Sequence, residues 1–227
     1  MKRQTIFIVL IFLYQIGYSQ ELSLKVYSDT IYASNDYELF NRISYGITNN
    51  TNQKQLFIID NKGLRYSDFS FDAVGVDIEN LNMAYYVLNH QMVVKDLTGR
   101  KVDLNDCIVS RGAVSFFNNE PEGLSKNKRL FFDVYLSKYI VIIDPGEEYF
   151  ISKYNMLPSH LSEGNTYVEC LDMLDGKEYN FNVVISQSTD YIEAILPKDY
   201  LKELEKDNVN IFNGVLTSND GYVKWVE

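Results

Sequence analysis

Cysteine, histidine, proline and tryptophan are scarce in this chain, and each scarcity narrows what it can do. Among 227 residues there are two cysteines, two histidines, four prolines and one tryptophan. A zinc site would need His90 and His160 to converge with Cys107 and Cys170, and no ligand spacing joins them. A Ser-His-Asp triad has few ways to assemble from two histidines, and the G-x-S-x-G turn is missing. His90 lies between Asn89 and Gln91, and His160 follows Pro158-Ser159, which predicts solvated loop positions for both. H-E-x-x-H, P-loop and G-x-G-x-x-G patterns are also absent. The sequence therefore nominates no catalytic residue, metal ligand or cofactor-binding residue, and no cofactor is expected. Paired carboxylates are the remaining route to catalysis, as in a glycosidase. With 31 acidic residues some pairs always arise, so none is singled out.

An excess of positive charge is missing as well. Lys and Arg number 21 against 31 Asp and Glu, a net charge of −10. Nucleic-acid binding relies on basic side chains that neutralise phosphates, so nucleic acid is not an expected partner. The same charge disfavours adsorption to anionic lipid and favours solubility.

The long hydrophobic run of a membrane span is missing too. The one sustained apolar stretch, Ile6–Leu13, is broken by Gln15 and Gly17, short of the ~20 residues a spanning helix needs. It follows Lys2 and Arg3 and precedes the small residues Gly17 and Ser19, at −3 and −1 of a cut after Ser19. Residues 1–20 thus read as a cleavable secretory signal peptide. The protein is expected to be exported, periplasmic or extracellular, and not integral to a membrane. With no cysteine at the junction, lipid attachment is not expected. Removal of Lys2 and Arg3 leaves 19 basic against 31 acidic residues, a net of −12. In an oxidising compartment Cys107 and Cys170 are a candidate disulfide. Closing that loop would stabilise the fold by about 4 kcal/mol on the chain-entropy model.

What remains is rich in strand signals. Leu22, Leu24 and Val26 alternate with polar neighbours, as do Ile43, Tyr45 and Ile47, and Tyr179, Phe181, Val183 and Ile185. Asn49-Asn50-Thr51-Asn52 predicts a turn before a strand at Gln55–Ile59. A hairpin is predicted over Met92–Leu104 with its bend at Thr98-Gly99-Arg100. Leu130–Leu136 and Tyr139–Ile143 read as strands, the second stopped by Pro145-Gly146 before a restart at Glu148–Lys153. Ile211–Leu216 and Tyr222–Val226 flank an Asn219-Asp220-Gly221 turn. One short helix near the C-terminus is predicted, with Pro197 at its first position and Leu201 and Leu204 on one face.

Many short strands and one helix predict a mainly β chain, a β-sandwich with long insertions at 61–90 and 105–129. Residues 21–227 are expected to form a single elaborated domain, because no Pro/Gly/Ser-rich linker divides them; the alternative is two small β domains split near 105–129. Long insertions often carry function. Tyr66, Phe69, Phe71, Tyr85 and Tyr86 lie in or near the first insertion and are candidate interaction aromatics, since tyrosine offers a flat apolar ring with a polar tip.

Four short runs carry a resemblance. They are Ile47-Thr48-Asn49-Asn50-Thr51-Asn52, Ile142-Ile143-Asp144-Pro145-Gly146-Glu147, Ile211-Phe212-Asn213-Gly214 with Ser218-Asn219, and the junction Tyr18-Ser19-Gln20. Together they resemble secreted immunoglobulin-like β-sandwich proteins of Bacteroidota. The resemblance covers about a third of the chain; it implies an exported sandwich and no activity. Asp29-Thr30-Ile31 is similar to the O-glycan acceptor motif of that phylum, which makes Thr30 a candidate O-glycosylation site. The antibody arrangement is not matched, because Trp225 lies outside the Cys107–Cys170 interval.

These readings converge on a non-enzymatic envelope or secreted binding protein whose partner is another envelope protein or a glycan. An inhibitor or immunity protein against a toxin or hydrolase is the first alternative, since an acidic surface suits a basic target. A carbohydrate-active hydrolase with paired carboxylates is the second.

Overall fold

The computed structural model describes residues 21–35, 39–59, 64, 90–105, 128–162 and 166–226. Among them the chain is mainly β. It begins with β1 (Leu22–Val26), β2 (Thr30–Ala33), β3 (Asn41–Asn49) and β4 (Lys54–Ile58), followed by β5 (Gln91–Asp96) and β6 (Leu104–Asn105). A helical segment follows: one α turn (α1, Lys128–Phe131), a π turn (Phe132–Leu136) and a 3-10 turn (Ser137–Tyr139). Next come β7 (Ile140–Ile143), β8 (Glu148–Asn155), β9 (Ser159–Ser162), β10 (Thr166–Leu171) and β11 (Tyr179–Gln187). Helices α2 (Thr189–Ile195) and α3 (Lys198–Lys206) precede β12 (Val209–Ile211), β13 (Gly214–Thr217) and β14 (Gly221–Trp225).

The strands form four sheets. One is β1-β3-β8, antiparallel throughout. A five-stranded sheet is built on β11, with β5 along one edge and β13 and β14 along the other. β2 joins β14 in parallel, so an N-terminal strand closes against the C-terminal one. The third sheet is β12-β4-β7 and the fourth β6-β10-β9.

Alternation decides what each face buries. Ile43, Tyr45 and Ile47 of β3, Ile151 of β8, and Phe181, Val183 and Ile185 of β11 all enter one main core, which Phe57 and Phe212 join as a stacked pair 4.9 Å apart. The neighbours Leu56 and Ile58 of β4 point the other way, into a second core with Phe132, Leu136, Tyr139, Ile192, Ile195 and Leu204. The β12-β4-β7 sheet therefore packs on strands through one face and on helices through the other.

Three expectations about elements are corrected. Leu130–Leu136 is helical, because Phe132, Leu136 and Tyr139 recur at four and three residues and bury one face against the second core. Arg129 and Asp133, four apart, pair at 3.0 Å along the same segment. The C-terminal region holds two helices, since Tyr191, Ile192 and Ile195 bury a turn before Pro197; Pro197 itself is the N-cap of α3 rather than its first residue. Asn219-Asp220-Gly221 is no hairpin turn. β13 and β14 both run antiparallel along the same edge of β11, as one strand interrupted at residues 218–220. Ser218 spans the break by donating its N–H to Val183 O at 2.9 Å and accepting the Val183 N–H on its hydroxyl at 2.9 Å.

The bend at Thr98-Gly99-Arg100 forms as expected, with Gly99 at φ 86° and the Asp96 carboxylate accepting from Thr98 and Arg100 N–H. The returning arm is short: Lys101 bridges Lys95 and Val102 donates to Val94 O, after which the chain leaves to pair β6 with β10. The expected long insertions fall almost wholly outside the described residues.

Candidate functional site

The pleat of the β1-β3-β8 sheet fixes its second face. If Leu24, Val26, Ile43, Tyr45, Ile47 and Ile151 point into the core, Lys25, Tyr27, Arg42, Ser44, Gly46, Glu148, Phe150, Ser152 and Tyr154 must point away from it. That outer face carries no aliphatic side chain. Three large aromatics stand on it instead, Tyr27 40% exposed, Phe150 54% and Tyr154 67%. Burial would be favourable for rings of this size, so the exposure of three of them together sets this face apart.

The side chains are organised. The Tyr27 and Phe150 ring centroids lie 5.9 Å apart, and Lys25 Nζ sits 5.0 Å from the Tyr27 centroid. The Tyr27 hydroxyl donates to the Glu148 carboxylate, a bond that raises the phenol above its ordinary pKa. Glu148 lies across Gly46; a Cβ there would fall 2.1 Å from Glu148 Oε1. Glycine at that position thus keeps the carboxylate against the sheet. Toward the other end, Arg42 is paired across the strands with Tyr154, and its Nε donates to Ser152 Oγ at 2.8 Å. Ser44 and Ser152 hydroxyls meet at 3.2 Å between the two ends.

A second polar feature lies on the core side of the same sheet. Tyr45 and His90 are buried, and the Tyr45 hydroxyl and His90 Nδ1 share a hydrogen bond of 2.6 Å. His90 Nε2 has no hydrogen-bond partner among the described residues. Burial, aided by the nearby Lys153 ammonium, lowers the His90 pKa to about 3, so the imidazole is neutral at physiological pH. The expectation of a solvated loop histidine is therefore overturned for His90: polar neighbours in sequence do not decide burial when Tyr45 supplies an internal partner. His160 likewise lies in strand β9 rather than in a loop. The Tyr45–His90 pair is a satisfied contact on one ring nitrogen and an open one on the other. No group of three metal-ligating side chains occurs among the described residues.

The remaining candidate residues are placed as follows. Thr30 opens β2, half-buried, opposite Tyr222 of β14. Cys170 lies on β10 and is engaged in a disulfide; the chain's other cysteine, Cys107, is outside the described residues. Tyr66, Phe69, Phe71, Tyr85 and Tyr86 are outside them too. Sequence reasoning missed the outer face because it counted aromatics in insertions. The signal was the alternation of β8 itself, which puts Glu148, Phe150, Ser152 and Tyr154 on one side. Among the described residues no helix is long and apolar enough to cross a membrane.

The fold and this face define a class: a mainly β protein with a helical layer on one sheet and an uncovered aromatic-polar surface on another. No protein-family model, curated protein or solved structure matches the chain.

Proposed function

We propose that this is an exported, non-enzymatic binding protein of the cell envelope or its exterior, and that the outer face of β1-β3-β8 is its ligand surface. The observation that carries the reading is Tyr27, Phe150 and Tyr154 exposed together on one sheet face, interleaved with hydrogen-bonding side chains and no aliphatic ones. Export follows from the leader-like residues 1–20. The two sheets that share the main core are taken as the leaves of an immunoglobulin-like sandwich; their common core supports that assignment.

The test is co-sedimentation of mature protein with isolated envelope from its own cells. Wild type is expected to pellet, and a Tyr27→Ala/Phe150→Ala double variant to bind at least tenfold more weakly with an unchanged melting temperature. Equal retention of both proteins would remove the face from the account. An inhibitor of a basic toxin or hydrolase is the second reading, favoured by the net charge of −10.

A further inference from the structure

We infer that the ligand of this face is an acidic glycan, a saccharide chain whose rings lie along β8 and whose carboxylate docks on Arg42. The inference rests on the proposed binding function and names the ligand class. Protein interface cores are depleted in Ser, Lys and Glu, whereas here the rings alternate with Ser44, Ser152, Lys25 and Glu148. A sugar ring has a matching pattern, C–H groups on its faces and hydroxyls at its rim. Phe150 and Tyr154 are four residues apart on β8, ~13 Å along the strand, in a row that suits a linear chain.

Charge selects the acidic variety. The whole chain is net −10, yet among the described residues the strands β1, β3 and β8 place Lys25 and Arg42 on this face against the single carboxylate Glu148. Glu148 is already engaged by the Tyr27 hydroxyl and is drawn over Gly46, toward the end opposite Arg42. Arg42 is exposed, and its Nη1 and Nη2 make no hydrogen bond or ion pair among the described residues. Its Nε is fixed on Ser152, and its position on β3 is directly across from Tyr154 on β8. With Nε engaged, the planar Nη1–Nη2 edge of the guanidinium is left to match a carboxylate in bidentate fashion. A uronic-acid ring seated on Tyr154 places its carboxylate there, and the next rings reach Phe150, where Lys25 and Glu148 meet hydroxyls. At physiological salt, screening over ~8 Å leaves these local charges dominant over the acidic remainder of the surface. A nucleic acid, with a phosphate at every step, would find only two cations on this face.

The experiment is affinity electrophoresis of mature wild-type protein through polygalacturonate, alginate and hyaluronan, with dextran as the neutral control. Retardation by at least one acidic polymer and not by dextran is expected. Arg42→Gln and Tyr154→Ala should each weaken it about tenfold, Arg42→Lys should recover only part, and added NaCl should weaken wild-type binding more than that of Arg42→Gln. Dextran binding as tight as that of the acidic polymers, or unchanged binding by Arg42→Gln, would overturn the acidic assignment. Lack of retardation by any polymer, with face-dependent envelope co-sedimentation intact, would overturn the glycan and leave the binding face standing with a protein as its partner. Loss of both would sink the proposed function as well.

Discussion

Side-chain amides act as pieces of backbone in this protein. Asn41 donates to Tyr32 O at 2.6 Å and accepts the Tyr32 N–H at 2.7 Å, the pair of bonds a neighbouring strand would make. Asn219 does the same for Val26, at 2.9 and 3.3 Å. Gln187 serves three groups: its Oε1 accepts the Ile58 N–H, and its Nε2 donates to Leu56 O and Phe212 O. It is buried, so water cannot replace it. Each buried group left unpaired costs about 1–3 kcal/mol. Gln187→Ala is therefore expected to lower unfolding free energy by about 3 kcal/mol in urea denaturation, while Gln187→Glu, which loses the donor, should also destabilise. An effect under about 1 kcal/mol in both would mean that the strand ends re-pair without it. None of these bonds was legible beforehand, because an amide in the sequence looks the same whether it caps a turn or bridges two sheets.

At the scale of elements, the long strand made of β13 and β14 packs closely on a core ring. Gly221 stands directly across from Phe181 on β11, and a Cβ there would lie 2.4 Å from Phe181 Cε1 and 2.9 Å from the Ser28 backbone oxygen. Phe181 is 1% exposed and has nowhere to move. Gly221→Ala should cost about 1–3 kcal/mol by overpacking, read as a fall in melting temperature. Gly46→Ala meets only the flexible, exposed Glu148 and should leave stability nearly unchanged while releasing the Tyr27–Glu148 contact. The strands of β1, β3, β4, β8 and β11 were readable because alternation needs only local sequence. The helical segment at 128–139 was misread for a physical reason. Its β-branched and aromatic residues favour strand locally, and the four-three spacing of Phe132, Leu136 and Tyr139 acquires meaning only against the second core. Asn219-Asp220-Gly221 reads locally as a turn, but its outcome, a break within one strand, depends on β11 being long enough to pair on both sides of it.

At the scale of the whole molecule, the buried His90 couples the main core to pH. Its folded pKa of about 3 lies below the ordinary 6.5, so the unfolded chain takes up the proton first as pH falls. Its contribution to stability is fully present above pH ~6.5 and is lost on descent toward pH 3, at up to about 1.4 kcal/mol per pH unit. Urea denaturation from pH 7 to pH 4 should show that loss, and His90→Phe should flatten the slope whatever its effect on absolute stability. An identical slope in the variant would exclude His90 as the source.

Composition and local pattern alone determined that this chain is mainly β, acidic, and poor in the cysteine and histidine of common catalytic and metal centres. Those properties are sums or short-range periodicities, and they survive without knowledge of what packs where. Only the tertiary structure decided that His90 is buried on Tyr45, that residues 128–139 coil into helix, and that Tyr27, Arg42, Phe150 and Tyr154 share one open face. Each of these depends on residues 45, 68 or more than 100 positions apart being brought together. Hydrophobic burial does that for the chain as a whole, and no window of sequence contains it.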